Sequence, residues 1–457
     1  MKKSLFEKKT DILSFIMLIL FFGFCLIKIP MTELEDSFQY LTQLPSRDPV
    51  YAFLLWGLQK LFSDYTLPLS LIQNGLGIVG TYWLYMRLNK LFDFKNWQRP
   101  FIMLALLAPH LLTPLASQSH MVITCSVLTE GIGLSLYYIW AGMILSHILG
   151  YYGQKNGRAL IITLLMSCMM AMIRGQFMIC VAVWLLAMIY VMIKSGEWKK
   201  ILLYFCIMIA CYAGQTMLTK CYHYAMSDVF TSTVASKPML LSNIIYVAEE
   251  SDAELIEDAR LKQAFLKMLD DSKERGLTIE NASGNIIDRA RFHESGHEEI
   301  NFDCVTMELN ELIYELENAD ESCFENFLVY RDKYADMLIK SSFKQVLPRY
   351  VSNYFVISSL GFVRSVAIEK GPLVYYAVLV YLFAIAASLF LFVKNRNSRA
   401  AVFMTMVLVS ICGTVFGTSL LIECLSRYMI YNLPLFYIAL LVVLNEMVTV
   451  LRKKKSE

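Results

Sequence analysis

The segment TELEDSFQY carries Glu33, Glu35 and Asp36 directly after the first long apolar run of the chain. A carboxylate in such a place can take the proton of an attacking hydroxyl or help to hold a divalent cation. Carboxylates at membrane depth are costly and tend to be functional. Just outside a membrane the cost is smaller, and a solvated helix cap explains them equally well. Two arginines supply the complementary chemistry. Arg174 lies in MIRGQFMICV between two apolar runs, and Arg427 opens the last run in LSRYMIYNLP. A guanidinium fork matches phosphate oxygens. A base and two phosphate-holding arginines are the equipment for moving a group off a phosphate-bearing donor. Snorkelling or helix capping is the structural alternative for each arginine.

Around these stand supporting candidates. Glu130, in SVLTEGIGLS, could be a second carboxylate or could fix a neighbouring arginine, although the helix dipole also favours an acid in a first turn. Asp48 precedes Pro49 and an apolar stretch, 51–62, too short to cross a bilayer. Arg349 and Arg364 lie in the aromatic, basic and half-apolar stretch 345–368. That stretch is expected to lie along the membrane surface, where lipid headgroups would account for both. His110 and His120 could polarise a sugar hydroxyl; a packed histidine is the ordinary explanation. His293-Glu294-Ser295-Gly296-His297 spells H-E-x-x-H, the zinc-protease pattern. Gly296 and the following Glu298-Glu299 are expected to interrupt the helix that this motif needs, leaving it on a charged surface as a chance match. No G-x-x-x-x-G-K-[ST] phosphate cradle occurs in the chain.

The elements that must position these residues are written in the composition. Of 457 residues, 57% are apolar and 18% charged. Soluble domains carry more charge, and disordered or disulfide-scaffold chains carry fewer apolar residues. Ten apolar runs qualify as spans: 12–29, 66–88, 100–116, 128–149, 158–173, 176–194, 200–219, 372–393, 399–420 and 428–450. With the N-terminus in the cytoplasm, the basic connections 89–99, 150–157, 194–200 and 394–399 and the basic tail all fall on the inner side. The loop 30–65 and the segment 220–371 then fall outside, as the positive-inside rule requires. Residues 245–345 hold 24 Asp and Glu against 11 Lys and Arg, so the net charge of +2 hides a strong separation. The fold class expected is all-α, a polytopic membrane protein of about ten spans plus a small helical insert. Its regions are 1–219, 220–371 and 372–457, with both termini cytoplasmic. The near-neutral total gives no reason to expect nucleic acid.

In this setting the chain resembles the GT-C superfamily, multispanning glycosyltransferases that use polyprenyl-phosphate-linked sugars. TELEDSFQY matches the acidic signature of the first outer loop in these enzymes, and RDPVYAFLLWGLQKLF matches the amphipathic helix that follows it. SVLTEGIGLSLYYIWAGMIL, MIRGQFMICVAVWLL and LSRYMIYNLPLFYIALL match further recurring patterns, so the resemblance covers most of the membrane part. It implies a plasma-membrane transferase moving a sugar to a glycan, lipid or protein acceptor outside the cytoplasm. Asp36 would act with Glu35 or Glu33, Arg174, Arg427 and Arg349 would hold the carrier phosphate, and Glu130, Asp48 and His110 would assist. The segment 220–371 matches no module of that family. Glu-Asp stands where a clean Asp-x-Asp would be, which leaves open whether a divalent cation such as Mg or Mn is needed. The competing expectation is a transporter or flippase of a polar or lipid-linked solute; a polysaccharide polymerase is a third, and a zinc protease comes last.

Overall fold

The computed structural model describes residues 5–116, 120–150, 157–317 and 324–456. Among them there is no strand, only an isolated bridge between Thr32 and Ser126. The first region contains α1 (Leu5–Lys28), α2 (Ser37–Leu41), α3 (Pro49–Leu61), α4 (Thr66–Phe92), α5 (Arg99–Ala116), α6 (Glu130–Ile148), α7 (Gly157–Ile173), α8 (Met178–Lys194) and α9 (Ile201–Ser227). The insert contains α10 (Ser236–Val247), α11 (Ala259–Glu274), α12 (Ile286–Glu299), α13 (Met307–Glu317) and α14 (Phe324–Val366). Last come α15 (Leu373–Lys394), α16 (Arg399–Ser419), the short α17 (Ser426–Met429) and α18 (Leu433–Ser456). This is an all-α polytopic membrane protein.

All ten apolar runs are helical, but they are not equivalent. Seven helices among the described residues are long and apolar enough to cross a membrane unaided: those at Lys9–Lys28, Glu130–Ile148, Gly175–Lys194, Trp198–Ser227, Leu373–Lys394, Arg399–Ser419 and Ser426–Arg452. Helices α5 and α7 are the short ones, as their sequences foretell. Helix α4 has 27 residues but carries Gln73, Asn74, Asn89 and Lys90. Its polar side chains are used inside the bundle: the Gln73 amide donates to the Ser126 carbonyl at 3.1 Å, and Asn74 to the Ser70 carbonyl at 2.9 Å. Gly80 and Gly131 let α4 and α6 meet, since a Cβ at Gly80 would strike the Ser135 carbonyl and one at Gly131 the Gln73 amide.

The two ends of the bundle differ in charge. At one end Arg399 donates to the carbonyls of Leu91 and Leu149, and Arg99 pairs with Asp11 at 3.3 Å. The starts of α1, α5 and α16 and the ends of α4 and α6 therefore share this basic end; the connection at 151–156 lies outside the described residues. The first loop and the insert meet the other end, where the Val234 amide donates to the Pro45 carbonyl at 3.0 Å and the Tyr350 hydroxyl to the Leu420 carbonyl at 2.6 Å.

The insert has its own apolar core, with Ile244, Phe265, Val305, Leu309 and Leu338 fully buried. Helix α11 starts where Asp258 accepts from the amides of Arg260 and Leu261, satisfying two of its free donors. Two expectations need correction here. The stretch 345–368 is not a separate helix resting on the bundle by one face. It is the second half of the 43-residue α14, with Val356, Ile357, Leu360, Val363 and Val366 buried in the core of the spanning bundle. Its aromatic and apolar residues go around the helix rather than along one face, so partners cover it from several sides: Tyr354 donates to the Phe416 carbonyl, while Phe362 and Val366 accept from Tyr381 and Tyr437. Helix α12 is also continuous through Gly296, begun by a capping box between Asn285 and Asp288, and it buries His293 and His297.

Candidate functional site

Chain geometry at the insert end brings distant residues together. After α1, Thr32 donates its amide to Cys125 and accepts from Val127, both at 2.9 Å, and the Ser37 hydroxyl reaches the Val127 carbonyl at 2.9 Å. These contacts pin the acidic loop to the segment leading into α6 and leave Asp36 at the start of α2. Glu130 is the first residue of α6. Arg174 has extended backbone, φ −161° and ψ 131°, in the break between α7 and the turn before α8. That break turns its side chain into the bundle instead of leaving it on a helix face. Arg427 stands on α17.

The four side chains form one ion-pair network. Arg174 meets Glu130 at 2.5 Å, Arg427 meets Asp36 at 3.2 Å, and Arg427 Nε lies 4.0 Å from Glu130. The Tyr428 ring contacts both guanidiniums, 4.2 Å from that of Arg174 and 5.0 Å from that of Arg427. Glu130 is 2% exposed, so its charge must be compensated where it stands. Asp36 is more open, with 30% of its side chain exposed. Burial raises the proton affinity of Asp36, but Arg47, Arg427 and Arg174 outweigh it and hold the carboxyl below its ordinary value.

Arg47 is the residue that the sequence reading passed over. It binds Asp36 at 2.5 Å, stacks 4.9 Å from the Tyr40 ring and donates to Gln39 at 3.0 Å. The signal was available: Arg47, like Arg174, is an arginine at the end where charge bias does not call for one. Three guanidiniums face Asp36 and Glu130, while Asp48 lies within electrostatic range of Arg47 and Glu298 within range of Arg427. Several buried polar atoms nearby make no hydrogen bond: Arg427 Nε and the hydroxyls of Tyr51 and Tyr431. Buried polar atoms are ordinarily satisfied, so these three are exceptions within the cluster.

The remaining candidates divide. Glu33 and Glu35 are exposed, and Glu33 pairs with the Tyr65 hydroxyl rather than with the arginines. Asp48 opens α3 and accepts from Thr233 at 2.7 Å; burial raises its proton affinity. It stands beside the cluster, near Gly175. Arg349 is not part of the site. It is held inside the insert by Asp252 at 2.5 Å and by the Val247 carbonyl at 2.9 Å. His110 is also elsewhere, buried against the rings of Phe21 and Phe22. His120 reaches the Pro114 carbonyl, 2.9 Å away. The residues present do not make a cage for a resident divalent cation: Asp36 is engaged by two guanidiniums, and no group of three His, Cys, Asp or Glu among the described residues is arranged to hold an ion. The H-E-x-x-H residues likewise have other partners, since His293 contacts Asn243, Glu294 pairs with Arg364 and His297 pairs with Glu423.

In comparisons with known proteins, no family model, no curated protein and no solved structure matches this chain.

Proposed function

We propose that this protein is a membrane glycosyltransferase that takes its sugar from a polyprenyl-phosphate carrier and transfers it to an acceptor on the non-cytoplasmic side of the cell membrane. The observation that carries this reading is the network in which Asp36 pairs with Arg47 and Arg427 while Arg174 pairs with Glu130, drawn together from separate parts of the chain. The carrier phosphate would bind the guanidiniums, and the carrier's isoprenoid tail would remain in lipid. Asp36 would take the proton of the acceptor hydroxyl as its oxygen attacks the anomeric carbon. The bond from that carbon to the phosphate oxygen breaks, and the electron pair leaves on the phosphate, where the arginines stabilise it.

The geometry suggests how donor binding would prepare the base. Without donor, Asp36 shares Arg47 and Arg427 and is a weak base. A phosphate competing for those guanidiniums weakens both pairs and raises the proton affinity of Asp36. No step is derived through a metal ion. The ion pairs stand at one end of the bundle, where a surface reaction needs them, rather than halfway along the spans, where a transport path would. Incubation of membranes with radiolabelled polyprenyl-phosphate sugars tests the proposal. Label should pass to an acceptor with the natural chain and not with Asp36→Asn at equal protein level. Equal transfer by both would remove Asp36 from the reaction, and movement of intact carrier without transfer would favour a flippase.

A further inference from the structure

The chain Leu420–Leu425 connects α16 to α17 and so delivers Arg427 to the site. Helices α10, α12 and α14 grip this connection at four points. Tyr350 of α14 donates to the Leu420 carbonyl at 2.6 Å, and Asn243 of α10 donates to the Leu421 carbonyl at 3.0 Å. His297 of α12 meets the Glu423 carboxylate at 2.9 Å, and Arg364 of α14 donates to the Cys424 carbonyl at 2.8 Å.

Three of these points lead back to the H-E-x-x-H residues. His293 contacts Asn243 at 2.9 Å, and the same amide holds Leu421. Glu294 pairs at 2.8 Å with Arg364, whose guanidinium holds Cys424. His297 holds Glu423 directly. His297 follows Glu294 by three residues and His293 by four, so it neighbours both on the helix surface. His293, His297 and Glu423 are 1%, 3% and 7% exposed, so these are interior contacts and not surface pairs. Buried polar contacts of this kind specify a geometry, because each broken one leaves a desolvated group without a partner. The next residue, Glu298, also lies within electrostatic range of Glu35, Glu423 and Arg427, which places this helix over the site.

We infer that His293, Glu294 and His297 form a three-point grip on residues 421–424 that sets the position of Arg427, so that the insert controls how the site holds its phosphate. The phosphate part of this inference rests on the proposed function; the control of Arg427 does not. These are positioning residues. A ligand or acceptor that shifts α12 would move Arg427 through the same contacts.

The test uses the full chain in lipid nanodiscs with two readouts. One is the guanidinium NMR signal of Arg427, assigned from Arg427→Lys; the other is the affinity for farnesyl phosphate. His297→Ala and Glu423→Ala should each shift the Arg427 signal and weaken farnesyl phosphate binding about tenfold, with Arg47 unmoved. His297→Asn, which keeps a donor near the Nδ1 position, should restore much of both. Added to Arg427→Ala, either substitution should cause no further loss of affinity. If the wild-type chain does not bind farnesyl phosphate while the Arg427 signal still responds, the grip stands and the phosphate reading fails. If His297→Ala and Arg364→Lys both fold and leave the Arg427 signal unchanged, the inference is overturned.

Discussion

Arg427 donates to the Asp36 carboxylate at 3.2 Å although 391 positions separate them in the chain. The contact joins the first loop to the start of the last span, and it puts the least buried carboxylate of the cluster under two guanidiniums at once. Its partial exposure leaves it reachable from outside the cluster, as the proposed role as a base requires.

Asp36→Asn should therefore separate binding from chemistry. Sugar transfer should fall by at least about 100-fold, the scale of a lost general base. Affinity for farnesyl phosphate should rise several-fold, because Arg47 and Arg427 lose an internal competitor. Parallel measurement of transfer and binding checks both; weaker binding by the variant would contradict the competition between carboxylate and phosphate.

Arg174 and Glu130 differ from this pair because Glu130 is buried. Arg174→Ala leaves a buried carboxylate without its 2.5 Å partner and should destabilise the protein by about 3–5 kcal/mol. Adding Glu130→Gln should recover part of the loss. Thermal melts of the two single variants and the double variant decide it; simple additivity would argue against the coupling.

The grip of α12 should weaken in acid. Burial pushes the proton affinity of His293 down to about 3 from an ordinary 6.5. Its neutral form is thus favoured in the folded state, so its contribution is complete above pH 6.5 and is lost as pH falls from there towards 3. At pH 5 the loss is about 2 kcal/mol relative to neutral pH. Glu423 acts in the same sense but lower: burial alone would raise it, yet His297 brings it to about 2, so its share is lost only below about pH 4.5. Melting temperatures from pH 7 to pH 5 should drop for the natural chain and be flatter for His293→Gln.

Sidedness follows from the charge separation between the bundle's ends. In intact cells, with Cys323 and the exposed Cys206 and Cys221 replaced by serine, Glu257→Cys should react with an impermeant thiol reagent. Lys199→Cys should react only after permeabilisation. The opposite pattern would put the arginine cluster inside and end the proposal of an extracytoplasmic reaction.

The helices were legible because their information is local. A run such as LVYYAVLVYLFAIAASLFLFVK must satisfy its own backbone in lipid, and only a helix does so within one segment. The alternation of basic and acidic connections was legible for the same reason. Interruptions were harder. Gly296 reads as a break in isolation, yet its helix is capped by Asn285 and held by buried partners, and tertiary packing outweighs the small propensity cost of one glycine. The stretch 345–368 reads as a surface helix because sequence alone does not say how many sides neighbours will cover.

Residue types and their end of the bundle thus came from the linear chain: Asp36, Glu130, Arg174 and Arg427 could be named before any contact was known. Which of them meet was decided by packing. Arg47 joined the cluster and Arg349 left it because ion pairing depends on separation in space, and a charge with a partner inside the insert is no longer available to the site. The H-E-x-x-H residues show the same division. Their spacing put them on one helix face, but only the tertiary structure supplied Asn243, Arg364 and Glu423, and these partners make the motif a joint between the insert and the last span rather than a metal site.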